Sequence, residues 1–379
     1  MDIIDVEAIP LRRDLGTRFA NAQKWIETRE YCLVRVTLED GTVGWGECWG
    51  PIAANRELIA DYVGPWLEGR DVRDAEQIHD DLIFKLRSSY HSYVPASVVS
   101  GVDIACWDAL GRTLDESVSR LLGGRRRDSV RAYATGHFWG DVDDFEELKA
   151  DVVAEAEGHV AAGFDALKNK IGLHRHPDFP WGWEEDVELV RAIRAAVGDE
   201  VRLSTDANHG YDLATAKKVG YALADLDVHF FEEPLPPNDL AAYATLNDAV
   251  DVSVAGGECW AFVDEFDDVM DLGAADVVQP DVTSAGGLTS TRRVAAAANA
   301  RNIQCVPHVF GSAVALAASL QVIATVPGDV MLEFDRTPNP LREDLVDDPV
   351  RNEGNAVAIP EAPGIGVEID PDVLEEFRV

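Results

Sequence analysis

Lysine is almost missing from this chain. Of 33 basic residues among 379, only seven are lysine (Lys24, Lys85, Lys149, Lys168, Lys170, Lys217 and Lys218), against 69 acidic residues and a formal net charge of −36. The carboxylates run along the whole length rather than gathering in a tail, which excludes a nucleic-acid partner, whose phosphates they would repel. An acidic, lysine-poor surface suits high salt, where dense carboxylates stay hydrated and ions screen their repulsion, and a halophilic origin is the expectation. Cysteine is scarce as well. Cys32, Cys48, Cys106, Cys259 and Cys305 are scattered, odd in number and form no C-x-x-C pair, so neither a disulfide framework nor a zinc site is indicated and the five read as buried thiols. No apolar run of about 18 residues suggests a membrane span. The start, MDIIDVEAIPLRRDL, lacks the basic and apolar regions of a signal peptide, so a cytoplasmic location is expected. Nor does a G-x-G-x-x-G fingerprint follow an early strand, which leaves a doubly wound nucleotide-binding domain without support.

What is present is a chain long enough for a barrel-sized domain plus a smaller one, with 46% hydrophobic residues to fill their cores. Residues 1–125 read as an α+β unit. "YCLVRVTLEDGTVGWGEC" is two strand-like runs joined at the turn dipeptide Asp40-Gly41, and helical patterns follow at 55–68, 73–88 and 95–112, the last with small residues suited to close packing. "GGRRRDSV" punctuates the chain. From about residue 130, eight short apolar runs alternate with Ala-rich helical stretches: VRAYATG, ALKNKIG, VRLSTDAN, HFFEEP, SVAGGE, DVVQPD, IQCVPHV and MLEFD. Eight strands separated by helices are the count for a (β/α)8 barrel, here assigned to residues 126–345. Residues 346–379 read as a C-terminal return that packs on the N-terminal capping domain and completes it.

Seven residues fall at the C-terminal ends of successive strands: Lys170, Asp206, Glu232, Glu258, Asp281, His308 and Glu333. Their separations of 36, 26, 26, 23, 27 and 25 residues each fit one strand, one helix and their loops. In a barrel such ends converge on one mouth. Asp206, Glu232 and Glu258 are hard oxygen donors that would repel one another without a cation between them, and Mg²⁺ (with Mn²⁺ as a substitute) is the natural choice. In "FEEP" the two glutamates must point to opposite faces, so either Glu232 or Glu233 fits the geometry.

The ordered motifs LKNKIG, STDAN, FFEEP, GGECW, QPDVTSAGG, PHVFGSA and LEFD resemble the enolase superfamily, in its mandelate racemase-like group, over nearly the whole chain. The resemblance selects Glu232 as the ligand in FEEP. It also implies that Lys170, the second lysine of K-x-K, removes the proton next to a carboxylate and that His308, oriented by Asp281, is the opposing acid/base. Glu333 would help hold the enolate oxygen, as a protonated or well-bonded carboxyl. Lys168 shares the face of Lys170 through the period-two alternation of a strand and is expected to lower its pKa. Asn208 shares the face of Asp206. Residues 15–28 are expected to form a specificity loop in which Arg18, Asn21 and Lys24 address substrate hydroxyls, with Trp49 of "CWGP" beside it. His137, His209, Tyr133 and Trp139 are within plausible reach of the mouth.

The resemblance implies an acid-sugar dehydratase, which converts an aldonate or aldarate to a 2-keto-3-deoxy acid. A racemase or epimerase of a 2-hydroxy acid is the alternative, and a non-catalytic binding barrel a remote one. The cycloisomerase and dipeptide epimerase branch places a lysine on the sixth strand. "VVQPDVTSAGG" has none, which disfavours that branch. A hydrolytic metal barrel would want H-x-H on an early strand, and "RAYATGHFW" has one histidine. The expected partner is a small-molecule carboxylate, and the family implies a homo-oligomer, commonly an octamer.

Overall fold

The computed structural model describes residues 1–90 and 94–379. Its first sheet is antiparallel, with β1 (Ile3–Ala20), β2 (Trp25–Leu38) and β3 (Val43–Cys48) in that order. The Asp40-Gly41 turn forms as expected, with Gly41 at φ 87° and Thr42 N donating to Asp40 Oδ1 at 2.9 Å. β1, which carries Pro10, is a strand that the sequence reading omits. Proline is tolerated there because β1 lies at the sheet edge. Residues 15–28 are accordingly the tip of a long hairpin rather than a loop.

A helix over Ala96–Leu114 lies on this sheet, and β3 explains how closely. A Cβ at Gly44 would run into the Ala105 carbonyl, and one at Gly46 into that of Gly101, so the alternating glycines of VGWGEC let helix and strand backbones touch. The same helix holds the cap on the barrel. Ser100 Oγ accepts from Gly286 N and Gly287 N at 2.9 and 3.0 Å, and Asp103 accepts from Thr289 N and Oγ1 at 2.9 and 2.6 Å. These bonds satisfy the open N-terminus of the barrel helix Gly287–Ala300.

All eight expected barrel strands are present: β4 (Ser129–Thr135), β5 (Ala166–Lys170), β6 (Arg202–Asp206), β7 (Val228–Glu232), β8 (Ser253–Gly256), β9 (Val277–Val278), β10 (Gln304–Cys305) and β11 (Leu332–Asp335). Parallel ladders join them in sequence from β4 to β10, and β11 pairs with β4. The remaining seam, between β10 and β11, is bridged by Gln304 Nε2 to Asp329 O at 2.8 Å and by Val309 N to a carboxylate oxygen of Glu333 at 3.2 Å. A buried layer of Tyr133, Ala166, Phe230, Ala255, Val277, Val306 and Met331 fills the barrel interior.

The C-terminal segment forms a small hairpin, β12 (Asn352–Glu353) and β13 (Ala356–Ala358), and β13 pairs antiparallel with β4. A helix over Pro371–Phe377 then reaches the cap, where the Phe377 ring lies 4.6 Å from the Arg13 guanidinium. No helix among the described residues is long and apolar enough to cross a membrane.

Candidate active site

Strand ends β6 and β7, together with the residues that follow β8, bring Asp206, Glu232 and Glu258 together, with carboxylate oxygens within 4.8 Å of one another. Asp206 and Glu232 are buried, and Glu258 borders the cavity described below. Burial, with Asp206 and Glu333 adding to it, pushes the Glu232 carboxyl up to about 7 although an ammonium neighbours it. Three carboxylate oxygens gathered this closely are the donor set that fits a hard divalent cation such as Mg²⁺. Glu233 points elsewhere. Its φ of 43° turns the chain just after β7, so Glu232 is the member of FEEP that joins the cluster.

Both lysines of K-x-K reach this cluster. Lys168 Nζ lies 2.7 Å from Glu232 Oε1, 2.9 Å from Glu232 Oε2 and 2.7 Å from Glu333 Oε1. Lys170 Nζ bonds Asp206 Oδ2, with the Phe138 ring 4.8 Å away. The expected lowering of the Lys170 pKa does not appear. Burial and Lys168 do act downward, but Asp206, Glu258 and Glu232 outweigh them and the pKa is raised. Lys168 is raised in the same way, burial being overcome by Glu232 and Glu333. The sequence places the two amines on one face and gives no measure of how many carboxylates share it.

His308 Nδ1 lies 2.7 Å from Asp281 Oδ2, while Nε2 lies 3.0 Å from Glu258 Oε2 and 4.0 Å from Glu333 Oε2. Burial lowers the His308 pKa, yet Glu258, Glu333 and Asp281 raise it well above the usual imidazole value. Asp281 is itself fixed, since its Oδ1 accepts from Thr283 N and Oγ1, both at 2.6 Å. Glu333 is well bonded and ionised rather than protonated. It accepts from Thr135 Oγ1 at 2.8 Å, and although burial raises its pKa, Lys168 and His308 bring it down to about 2.

A cavity of about 440 Å³, of the size that takes a small ligand, is lined by Lys170, His308, Glu258, Glu333 and Asn208 from the barrel. Asn21, Lys24 and Trp49 line it from the cap. Asn21 is partly committed, because its Oδ1 accepts from Gln23 N and Lys24 N at 3.0 and 3.2 Å to hold the hairpin turn. Arg18 is not in this cavity. It forms a two-point pair with Asp141 at 2.7 and 2.6 Å and borders a separate surface groove. Trp139 and His137 are buried beneath the mouth, and Tyr133 lies in the barrel layer below Lys168, 5.4 Å from its ammonium.

Some site residues escape the sequence reading. Gln279, just beyond β9, donates to Glu232 Oε2 at 2.6 Å, and its position two residues before Asp281 in the sequence-read run DVVQPD was the available signal. Phe138 and Phe310 wall the cavity, and no spacing rule marks them. Gln23 reaches from the cap to donate to Asn208 O at 3.2 Å.

Comparison with known proteins gives a consistent picture. Residues 151–373 match the family described as enolase C-terminal domain-like, and residues 7–123 match the mandelate racemase / muconate lactonizing enzyme N-terminal domain. The chain is 39% identical to the D-galactarolactone cycloisomerase of Agrobacterium fabrum, covering 100% of this chain and 99% of that protein. It is 30% identical to the arabinonate dehydratase of Saccharolobus solfataricus, covering 92% and 91%. Among solved structures, the 3,6-anhydro-D-galactonate cycloisomerase from Zobellia galactanivorans superposes with a TM-score of 0.89 at 32% identity over the full length of both chains. A racemase from Streptomyces coelicolor with bound magnesium gives 0.87 at 28% identity over both full lengths.

Proposed function

Since the chain belongs to the enolase superfamily, in its mandelate racemase-like group, we infer that this enzyme takes a proton from C2 of a sugar acid and expels the β-hydroxyl as water. The product is a 2-keto-3-deoxy acid. One observation carries this reading: Lys170 and His308 border a single cavity with Glu258 of the three-carboxylate cluster, so a base and an acid can address the same substrate.

The residues divide the work as follows. Asp206, Glu232 and Glu258 would hold a divalent cation, which when bound supplies Lewis-acid stabilisation to the negative charge developing on the substrate carboxylate. If those carboxylates held a cation, Lys170 would lose its Asp206 partner and give its ammonium proton to solvent, and its neutral amine would then accept the C2 proton. Lys168 keeps its ammonium, buried between Glu232 and Glu333, and contributes fixed positive charge. His308 enters protonated, held by Asp281 through Nδ1, and gives its Nε2 proton to the departing 3-hydroxyl. Lys170 then carries one added proton and His308 one fewer, and exchange with solvent resets both. The resulting enol takes a proton at C3 and gives up its C2 hydroxyl proton to become the keto acid.

A second reading follows from the 39% identity to a cycloisomerase. If the leaving oxygen belongs to a ring, the same two proton transfers open the ring with no loss of mass. Racemisation, in which Lys170 and His308 exchange protons on opposite faces of C2, uses the same residues again.

The test is incubation with Mg²⁺ and a panel of aldonates, aldarates and their lactones in high salt. Keto-acid formation is followed together with deuterium incorporation at C2 in D₂O. Water loss with keto-acid formation from an open-chain acid supports dehydration; keto acid of unchanged mass from a lactone supports ring opening; exchange without keto acid supports racemisation. Lys170→Ala and His308→Asn should each reduce turnover by about 10²-fold or more. Full activity in both variants would remove the assignment of base and acid.

A further inference from the structure

Each strand end that contributes a carboxylate to the cluster carries a second donor close by. His209 follows Asp206 by three residues, Glu233 follows Glu232, and Cys259 follows Glu258. Ligand atoms of His209, Glu233 and Cys259 also lie within 4.8 Å of one another. A backbone bond from His209 N to Glu233 O at 2.7 Å fixes two members of this second trio side by side.

The hydrogen bonding of the trio leaves one buried oxygen over. His209 Nδ1 lies 3.1 Å from the Leu235 carbonyl, which can only accept, so Nδ1 carries the ring proton and Nε2 of the neutral imidazole presents a lone pair. That lone pair faces Glu233 Oε2 at 3.1 Å and Cys259 Sγ at 3.5 Å. Glu233 is 1% exposed, and its Oε2 has no hydrogen-bond partner among the described residues. A buried carboxylate oxygen without a hydrogen bond, set beside an imidazole nitrogen and a thiol sulfur, is a donor set that a cation would satisfy. An imidazole held through Nδ1–H to a carbonyl is also how metal-bound histidines are oriented.

We propose that His209, Glu233 and Cys259 form a second cation site, separate from the three carboxylates, that binds Zn²⁺ or another thiophilic divalent ion. Sulfur and imidazole donors favour zinc and disfavour magnesium, which takes oxygen. Cys259 suits the role. It is the exposed thiol of the five and borders the substrate cavity, so three protein donors leave a fourth position open to the cavity side. Binding releases the thiol proton to solvent. The proposal is independent of which reaction the enzyme performs.

The experiment uses the full chain, stripped with chelator and then held in saturating Mg²⁺ so that the carboxylate cluster is occupied. Zn²⁺ is titrated by calorimetry, and Co²⁺ serves as the optical probe. The expected result is one Zn²⁺ per chain in the presence of Mg²⁺, with a near-ultraviolet sulfur-to-cobalt charge-transfer band. Cys259→Ser should abolish the band and weaken Zn²⁺ binding by at least about tenfold, Glu233→Gln should weaken it similarly, and Asp206→Asn should leave it in place. Circular dichroism checks that each variant is folded. Absence of the band in the wild-type chain, zinc binding unchanged in Cys259→Ser, or zinc binding lost in Asp206→Asn alone would overturn the proposal. The first result would mean that a proton shared by His209 and Glu233 fills the site, and the other two that zinc merely competes for the carboxylate cluster.

Discussion

Arginine can replace lysine wherever only a positive charge is needed, but it stays protonated near neutrality and cannot serve as a base. Lys168 and Lys170 are the two buried lysines of this chain, and Lys170 is the one whose proposed task no arginine could perform. Its raised pKa, to which Asp206 contributes, fits the resting state of the proposed base paired with a proposed metal ligand. The same logic gives a residue-level prediction for Asp281, which fixes His308 through Nδ1 and is one cause of its raised pKa. Asp281→Asn should lower kcat by roughly 10–100-fold with KM little changed, because the imidazole loses its orienting partner. A general acid must be protonated to act, so lowering the His308 pKa should also move the basic limb of the pH–rate profile to lower pH. A profile that keeps its position while the rate falls would make Asp281 a structural residue only.

At the scale of elements, the cap must stay seated for the cavity to have a wall. Its hairpin tip meets the barrel through Ala20 N to Trp139 O at 2.7 Å and Trp139 N to Ala20 O at 3.0 Å, with the Arg18–Asp141 pair outside them. That pair is exposed and screened by salt. Arg18→Ala should therefore raise KM a few-fold in dilute buffer with kcat nearly constant, and the difference from wild type should shrink in concentrated KCl. A second seat is Glu47 at the end of β3, whose carboxylate accepts from Ser312 N and Ala315 N at 3.2 Å, at the start of the helix Ala313–Ile323. Burial pushes Glu47 up to about 7 from 4.5 despite these donors. A folded pKa above the unfolded one means that its contribution to stability is complete below about 4.5 and is lost as pH rises through about 7. Glu47→Gln cannot ionise, so its melting temperature relative to wild type should climb between about pH 5 and about pH 8. A constant difference across that range would place the Glu47 titration elsewhere. The eight barrel strands and the seven strand-end residues could be read from the chain because strand-plus-helix units repeat at near-constant length. Partner choice could not. Whether Lys168 depresses Lys170 or is itself absorbed by Glu232 and Glu333 depends on distances of a few ångströms that a period does not encode. The donor trio at His209, Glu233 and Cys259 was invisible for a related reason, since its members are joined only by the pairing of β6, β7 and β8 and match no contiguous zinc spacing.

For the molecule as a whole, the net charge of −36 is a repulsion that the fold must withstand. Arginines offset part of it locally, as in Arg13–Glu376 at 2.6 Å and Arg293–Asp80 at 2.7 Å, but both pairs are exposed and such pairs contribute little. The excess of carboxylates has no partner of this kind and acts over distances that salt controls. The screening length falls from about 10 Å at 0.1 M to about 3 Å at 1 M, so raising KCl removes long-range repulsion while leaving the buried pairs of the site almost untouched. We expect the melting temperature, measured with chelator present so that cation binding at the carboxylate cluster does not contribute, to rise by at least about 5 °C between those concentrations. A variant with about ten exposed carboxylates changed to glutamine or lysine, all remote from the cavity, should show a flatter rise and a higher melting point in dilute buffer. If the melting temperature of wild type were the same at both concentrations, the acidic surface would not be an adaptation to salt. The preference for arginine over lysine would then need a different cause.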